Sequence, residues 1–326
     1  MERRIDFARD RHMLCPACGH RWLVDLDWID RWEQAQETCP GCDVTCEHED
    51  SPRVTVDPDD LALDDDRVAQ LSWYHTSTQP DWPTRDFDPA SALTAEIRTT
   101  MGGDEGLAKW AATQQAKALH AGTYEAAVHN MLRWMRDQAD RSRQFYLYRL
   151  HLQPSVVVRD GWVIDPADFA GNVALDNVCP PGVDVARYLN YHEAPGGISL
   201  ALGRDAIARV QRISVPLPGA RGDGWVRDAV AALVDAAGTT APPTGRCRSR
   251  RSSAPTSPRV LTAKKLATAL AARLPINLRS EFESAAAFTE GDDPVKWARR
   301  TSGLCDLIED PRPALAALDR QGHRQV

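Results

Sequence analysis

Two matched cysteine pairs constrain this chain more than anything else in it: Cys15-Pro-Ala-Cys18 and Cys39-Pro-Gly-Cys42. A two-residue gap lets both thiolates of a pair turn onto one metal ion. The twenty residues between the pairs suit a short hairpin excursion joining two such knuckles. The pattern predicts a structural Zn2+ site with Cys15, Cys18, Cys39 and Cys42 as ligands. Disulfides would need an oxidising compartment. The charged start, Met1-Glu-Arg-Arg-Ile-Asp6, lacks the apolar stretch of a signal peptide. A redox Cys-x-x-Cys would use one pair, not two. Cys46, His20 and His48 read as bystanders.

With its Cys-Pro-x-Cys-Gly knuckle followed by Arg21-Trp22, the segment over 10–50 resembles a zinc ribbon. Such a module often grips nucleic acid or protein, and often only caps a fold. Local charge argues against plain nucleic-acid binding. From Asp43 to Asp66 the chain carries ten Asp or Glu against Arg53, with Arg67 just beyond, and a phosphate backbone would be repelled. The net charge of −7 and the lack of any 18-residue apolar stretch predict a cytoplasmic protein with no membrane partner.

The fold class expected is α+β. The reading along the chain is a zinc ribbon over 1–50, an acidic solvated linker over 51–69, and a mixed domain over 70–218. A helix over 219–238, a basic Pro/Ser/Arg-rich linker over 239–259 and a helical segment over 260–326 follow. In the middle domain, Gln70–Ser77 is β-like. Tyr124, Ala127, Val128, Met131, Leu132 and Met135 form one apolar helical stripe, with Thr123 as N-cap and Gly122 before it. Phe145–Leu152, Gly197–Leu202 and Arg212–Pro216 read as strands, and Val183–Tyr191 as a helix. Ser155–Val158 and Trp162–Ile164 flank Asp160-Gly161 as a hairpin. The linker arginines Arg246, Arg248, Arg250 and Arg251 offer a polyanion contact.

Three short segments carry candidate chemistry: Trp73-Tyr-His-Thr-Ser77, Leu119-His-Ala-Gly-Thr-Tyr-Glu-Ala-Ala127, and Tyr188-Leu-Asn-Tyr-His-Glu-Ala-Pro-Gly-Gly-Ile-Ser199. Their order resembles the ADP-ribosyltransferase fold of the His-Tyr-Glu kind, over about residues 71–215. The resemblance implies NAD as substrate and cleavage of its nicotinamide–ribose bond. Glu193 would stabilise the oxocarbenium-like centre, as a carboxylate does in glycoside cleavage. His75 would hold a ribose hydroxyl, with Thr76 and Ser77 as further donors. Tyr124, or its rival His120, would stack on nicotinamide. Gly122 and Thr123 would form the turn, and Asn190 and Ser199 would orient Glu193 or the ribose.

No Gln-x-Glu or Glu-x-Glu pair is present, so transfer to a protein arginine is disfavoured. A protein or nucleic-acid acceptor of another kind, or plain NAD hydrolysis by a toxin-like enzyme, stays open. So does a fold-related toxin type named for Arg, Glu and Ser, with Glu193 and Ser199 in the last two roles. The alternative from another class is a non-enzymatic zinc-ribbon adaptor that binds nucleic acid or a protein. The sequence contains no Gly-x-Ser-x-Gly elbow, Walker loop or dinucleotide-fold glycine fingerprint.

Overall fold

A computed structural model describes residues 1–84, 87–137, 143–166, 173–217, 223–238 and 256–326. Strands β1 (Arg11–Leu14) and β2 (Arg21–Val24), helix α1 (Leu26–Glu33) and strand β3 (Arg53–Thr55) build the N-terminal module. Its sheet is antiparallel in the order β2-β1-β3, with Met13 opposite both Trp22 and Val54. Asp25 starts α1 by accepting the Trp28 amide at 2.7 Å, satisfying one of the free donors of a helix start.

The stretch 51–69, expected as a solvated linker, is folded instead. It supplies β3 and the short helix α2 (Asp65–Val68), and it buries Val56, Ala62 and Val68. These apolar residues are six apart among aspartates, a spacing with neither helical nor strand period, so pattern reading passes over them.

The chain continues through β4 (Trp73–Ser77), α3 (Ala95–Thr100), α4 (Gly103–Gln115), β5 (Leu119–Ala121) and α5 (Tyr124–Asp137). Next come β6 (Phe145–Leu152), β7 (Val163–Ile164), α6 (Leu175–Val178), β8 (Val185–Leu189), β9 (Ile198–Leu202) and β10 (Ile207–Val215). Helices α7 (Asp223–Gly238), α8 (Pro258–Ala271), α9 (Ile276–Ala285), α10 (Pro294–Glu309) and α11 (Arg312–Asp319) precede β11 (Arg324–Gln325). The architecture is mixed α+β, with two four-stranded sheets in the orders β11-β10-β6-β4 and β5-β9-β8-β7. Tyr74 and Gly122 exchange two backbone hydrogen bonds of 2.9 Å and so stitch β4 to the end of β5. Trp73, Tyr148, Leu189, Ile198 and Leu200 belong to one buried core shared by the two sheets.

Two local expectations fail. The expected helix over Val183–Tyr191 is instead the strand Val185–Leu189 with its flanks: all five residues of β8 are buried, and a short run covered on both faces carries no diagnostic period. The Asp160-Gly161 flanks do not pair with each other as a hairpin. Val163-Ile164 and Val158 each pair in parallel with β8. The helical C-terminal segment is also no appendage. Leu270, Leu278, Phe282 and Leu304 share one buried core with Met131 and Leu132 of α5, and β11 pairs with β10. The arginines at 246, 248, 250 and 251 lie outside the described residues. Among the described residues no helix is long and apolar enough to cross a membrane.

Candidate functional site

The four knuckle cysteines come together. Their Sγ atoms all lie within 4.8 Å of one another, with Cys15–Cys42 and Cys18–Cys39 each at 3.7 Å. Tetrahedral Zn–S bonds of ~2.3 Å place ligand sulfurs about 3.8 Å apart, so the thiols fit a zinc ion. Gly19 at φ +74° lets the first knuckle turn back, and its amide donates to the Cys15 carbonyl at 2.8 Å. Cys46, His20 and His48 stay outside the cluster.

The second constellation forms where the β8–β9 loop meets the β5–α5 turn. Asn190 organises the loop. Its Oδ1 accepts the amides of His192 at 2.9 Å and Glu193 at 2.8 Å, and its Nδ2 donates to Ser199 Oγ at 3.1 Å. The loop turns through positive φ at Ala194 (+53°) and Gly196 (+82°). Gly122 packs against the start of β9 so closely that a Cβ there would lie 2.9 Å from Ser199 Oγ, and 2.8 Å from the Ala126 Cβ of α5. Thr123 caps α5, its hydroxyl accepting the Ala126 amide at 3.1 Å.

Glu193 reaches α5. Its Oε1 is ion-paired with Arg133 and accepts from Asn130 Nδ2 at 3.4 Å. Oε2 has no hydrogen-bond partner among the described residues. Tyr188 lies opposite Ser199 in the sheet, and its hydroxyl is 3.0 Å from His120 Nδ1. Burial raises the Tyr188 pKa, and the charges of Asp165 and Glu193 raise it further. Burial holds His120 down to about 4, so its ring is neutral at pH 7. Its Nε2 is buried without a hydrogen-bond partner among the described residues.

No family model matches this chain, and neither a curated protein nor a solved structure does.

The remaining expected residues fall elsewhere. His75 donates Nδ1–H to the His120 carbonyl at 2.9 Å and stacks on Trp82 with ring centres 3.9 Å apart. Burial lowers its pKa to about 3. Its neighbours Tyr74 and Thr76 occupy the α5 side of β4, where Thr76 Oγ1 donates to the Ala127 carbonyl at 2.9 Å. His75 therefore points away from the helix that holds Glu193. Ser77 Oγ accepts the Gln79 amide at 3.1 Å.

Tyr124, expected to stack on a ligand, is a core side chain. It is 1% exposed, meets Phe7 and Tyr74 edge-on, and donates to the Leu307 carbonyl of α10 at 3.1 Å. The sequence had offered its place in the apolar stripe as the competing reading. Arg133, Asn130 and Tyr188 escaped sequence reading. The available signal was that Asn130 and Arg133 stand three apart, one turn from each other on the side of α5 away from the apolar stripe.

Proposed function

We propose that the protein cleaves NAD at the nicotinamide–ribose bond, as an ADP-ribosyltransferase or NAD glycohydrolase, with Glu193 as its carboxylate. The observation that carries this reading is the convergence of the β5–α5 and β8–β9 segments on one hydrogen-bonded cluster. That cluster leaves two polar atoms, Glu193 Oε2 and His120 Nε2, without protein partners among the described residues. Buried polar atoms are nearly always paired, so the unpaired His120 Nε2 suits a polar ligand, while Glu193 Oε2 keeps some exposure to solvent.

In this reading Arg133 and Asn130 hold Oε1, which aims Oε2 at the ribose. The carboxylate stabilises positive charge as the glycosidic bond lengthens. His120 Nε2, its tautomer set by Tyr188, pairs with a ribose or carboxamide group. His75 acts at one remove by fixing the β5 main chain. Tyr124 takes no part. The adaptor reading draws on the ribbon's aromatic row, where His20 stacks on Trp22 at 5.2 Å and Trp28 on Trp32 at 5.5 Å.

The test is nicotinamide release from NAD by the parent protein and by Glu193→Gln. The expected result is release that falls about 100-fold in the variant, the scale of one transition-state contact. Absence of release, together with no rise in melting temperature on adding NAD, sinks the enzyme and favours the adaptor.

A further inference from the structure

The ribbon does not stand apart from the Glu193 loop; it presses on it. The missing Cβ and the positive φ of Gly196 let the Thr55 carbonyl of β3 and Arg11 Cδ of β1 sit 3.3 and 3.6 Å from where a Cβ would be. At Gly197 the same space holds Arg9 Nη2 at 3.1 Å. His12 and Thr55 are register partners in the ribbon sheet, so these contacts come from adjacent strands of one small module. Arg11 is 2% exposed, and its guanidinium bonds back to the Arg9 carbonyl.

The loop needs such support. It holds Ala194 in the left-handed region, which is unfavourable for an L-residue. Its own ties are Gly196 N–H to the Asn190 carbonyl at 3.0 Å, Gly197 N–H to the Ala194 carbonyl at 3.0 Å, Asn190 N–H to the Gly197 carbonyl at 2.9 Å, and the two amides on Asn190 Oδ1. The ribbon, in turn, has little core of its own. Met13, Cys15, Val24, Leu26, Trp32 and Cys39 are its buried apolar side chains between β1 and the second knuckle. Modules this small commonly depend on their metal to fold.

We infer that metal bound by Cys15, Cys18, Cys39 and Cys42 positions the Glu193 loop: the metal orders the ribbon, and Arg9, Arg11 and Thr55 of the ribbon clamp Gly196-Gly197. The coupling stands whether or not the loop serves NAD cleavage, because it is a statement about order in residues 190–197.

Hydrogen exchange on the full chain tests it, followed peptide by peptide before and after zinc is removed with a chelator. Exchange in 190–197 is expected to rise about tenfold along with β1 and β2, while β6 and β10 keep their protection. Zinc added back restores it. Arg9→Ala, with zinc still bound at the parent's stoichiometry, is expected to loosen 190–197 alone, and Arg9→Lys to recover part of the protection. Unchanged exchange in 190–197 while the ribbon strands open would overturn the inference. If chelation unfolds the whole chain, Arg9→Ala decides: a loop as protected as the parent's, with zinc retained, refutes the clamp.

Discussion

His129 lies beneath the Glu193 loop, 5% exposed, and its Nδ1 accepts the Ala194 amide at 3.4 Å. Acceptance at Nδ1 requires the neutral ring with its proton on Nε2. Burial, reinforced by the charges of Arg133, Arg136 and Arg11, holds its pKa down to about 3 from the ordinary 6.5. Above pH 6.5 the ring is neutral in both folded and unfolded chains and contributes no slope. As pH falls from 6.5 towards 3, the unfolded chain takes up a proton that the folded chain refuses, and stability drops. One such histidine is worth up to about 1.4 kcal/mol per pH unit in that window. His129→Gln keeps an acceptor but cannot titrate. Its stability relative to the parent should therefore improve by about 2 kcal/mol between about pH 7 and pH 5. Urea midpoints at the two pH values measure this, and a constant gap would refute it.

At the scale of elements, the β5–α5 turn is the tightest junction at the site. Gly122 joins the two sheets through Tyr74, starts α5 through Thr123, and leaves no room for a methyl group beside Ser199. Gly122→Ala should cost about 1–3 kcal/mol by overpacking, and should shift the Ser199–Asn190 pair that supports Glu193. A thermal melt indistinguishable from the parent's would contradict that.

This junction was legible: Gly122, the Thr123 cap and the stripe from Tyr124 to Met135 announced a turn into a helix. The knuckle cysteines were equally plain, because four sulfurs at fixed spacing leave few arrangements. The strand character of Val185–Leu189 was not legible, since burial on both faces erases periodicity. Glu193 was readable as a loop carboxylate, but its partners on α5 were not. Asn130 and Arg133 precede it by 63 and 60 residues, and nothing local marks that pairing. Tyr124 had one hydroxyl and two possible uses; only the approach of α10 decided between them.

At the scale of the molecule, Arg149 of β6 is a tie point. It is 6% exposed and bonds Glu2 at 3.0 Å, Asp319 at 2.6 Å and Gln211 at 2.9 Å. Gln211 donates onward to the carbonyls of Leu318 and Gln321. The N-terminal arm and the final helices thus meet on one buried guanidinium, whose loss of partners would leave a charge unpaired. Deleting residues 256–326 should remove far more than an appendage. The large core cluster would lose α8 to α11, and the remaining protein should show no cooperative melt. A shortened chain that melts sharply would mean that the middle domain folds alone.

The same tie sets a timetable for synthesis. Arg149 must wait 170 residues for Asp319. At ribosomal speeds that is on the order of ten seconds. During that interval α5 can be covered by Tyr74, Phe145, Leu147 and Ile213, but not by the C-terminal helices that share its core. The core that joins α5 to α8–α11 can therefore close only after nearly the whole sequence has been made.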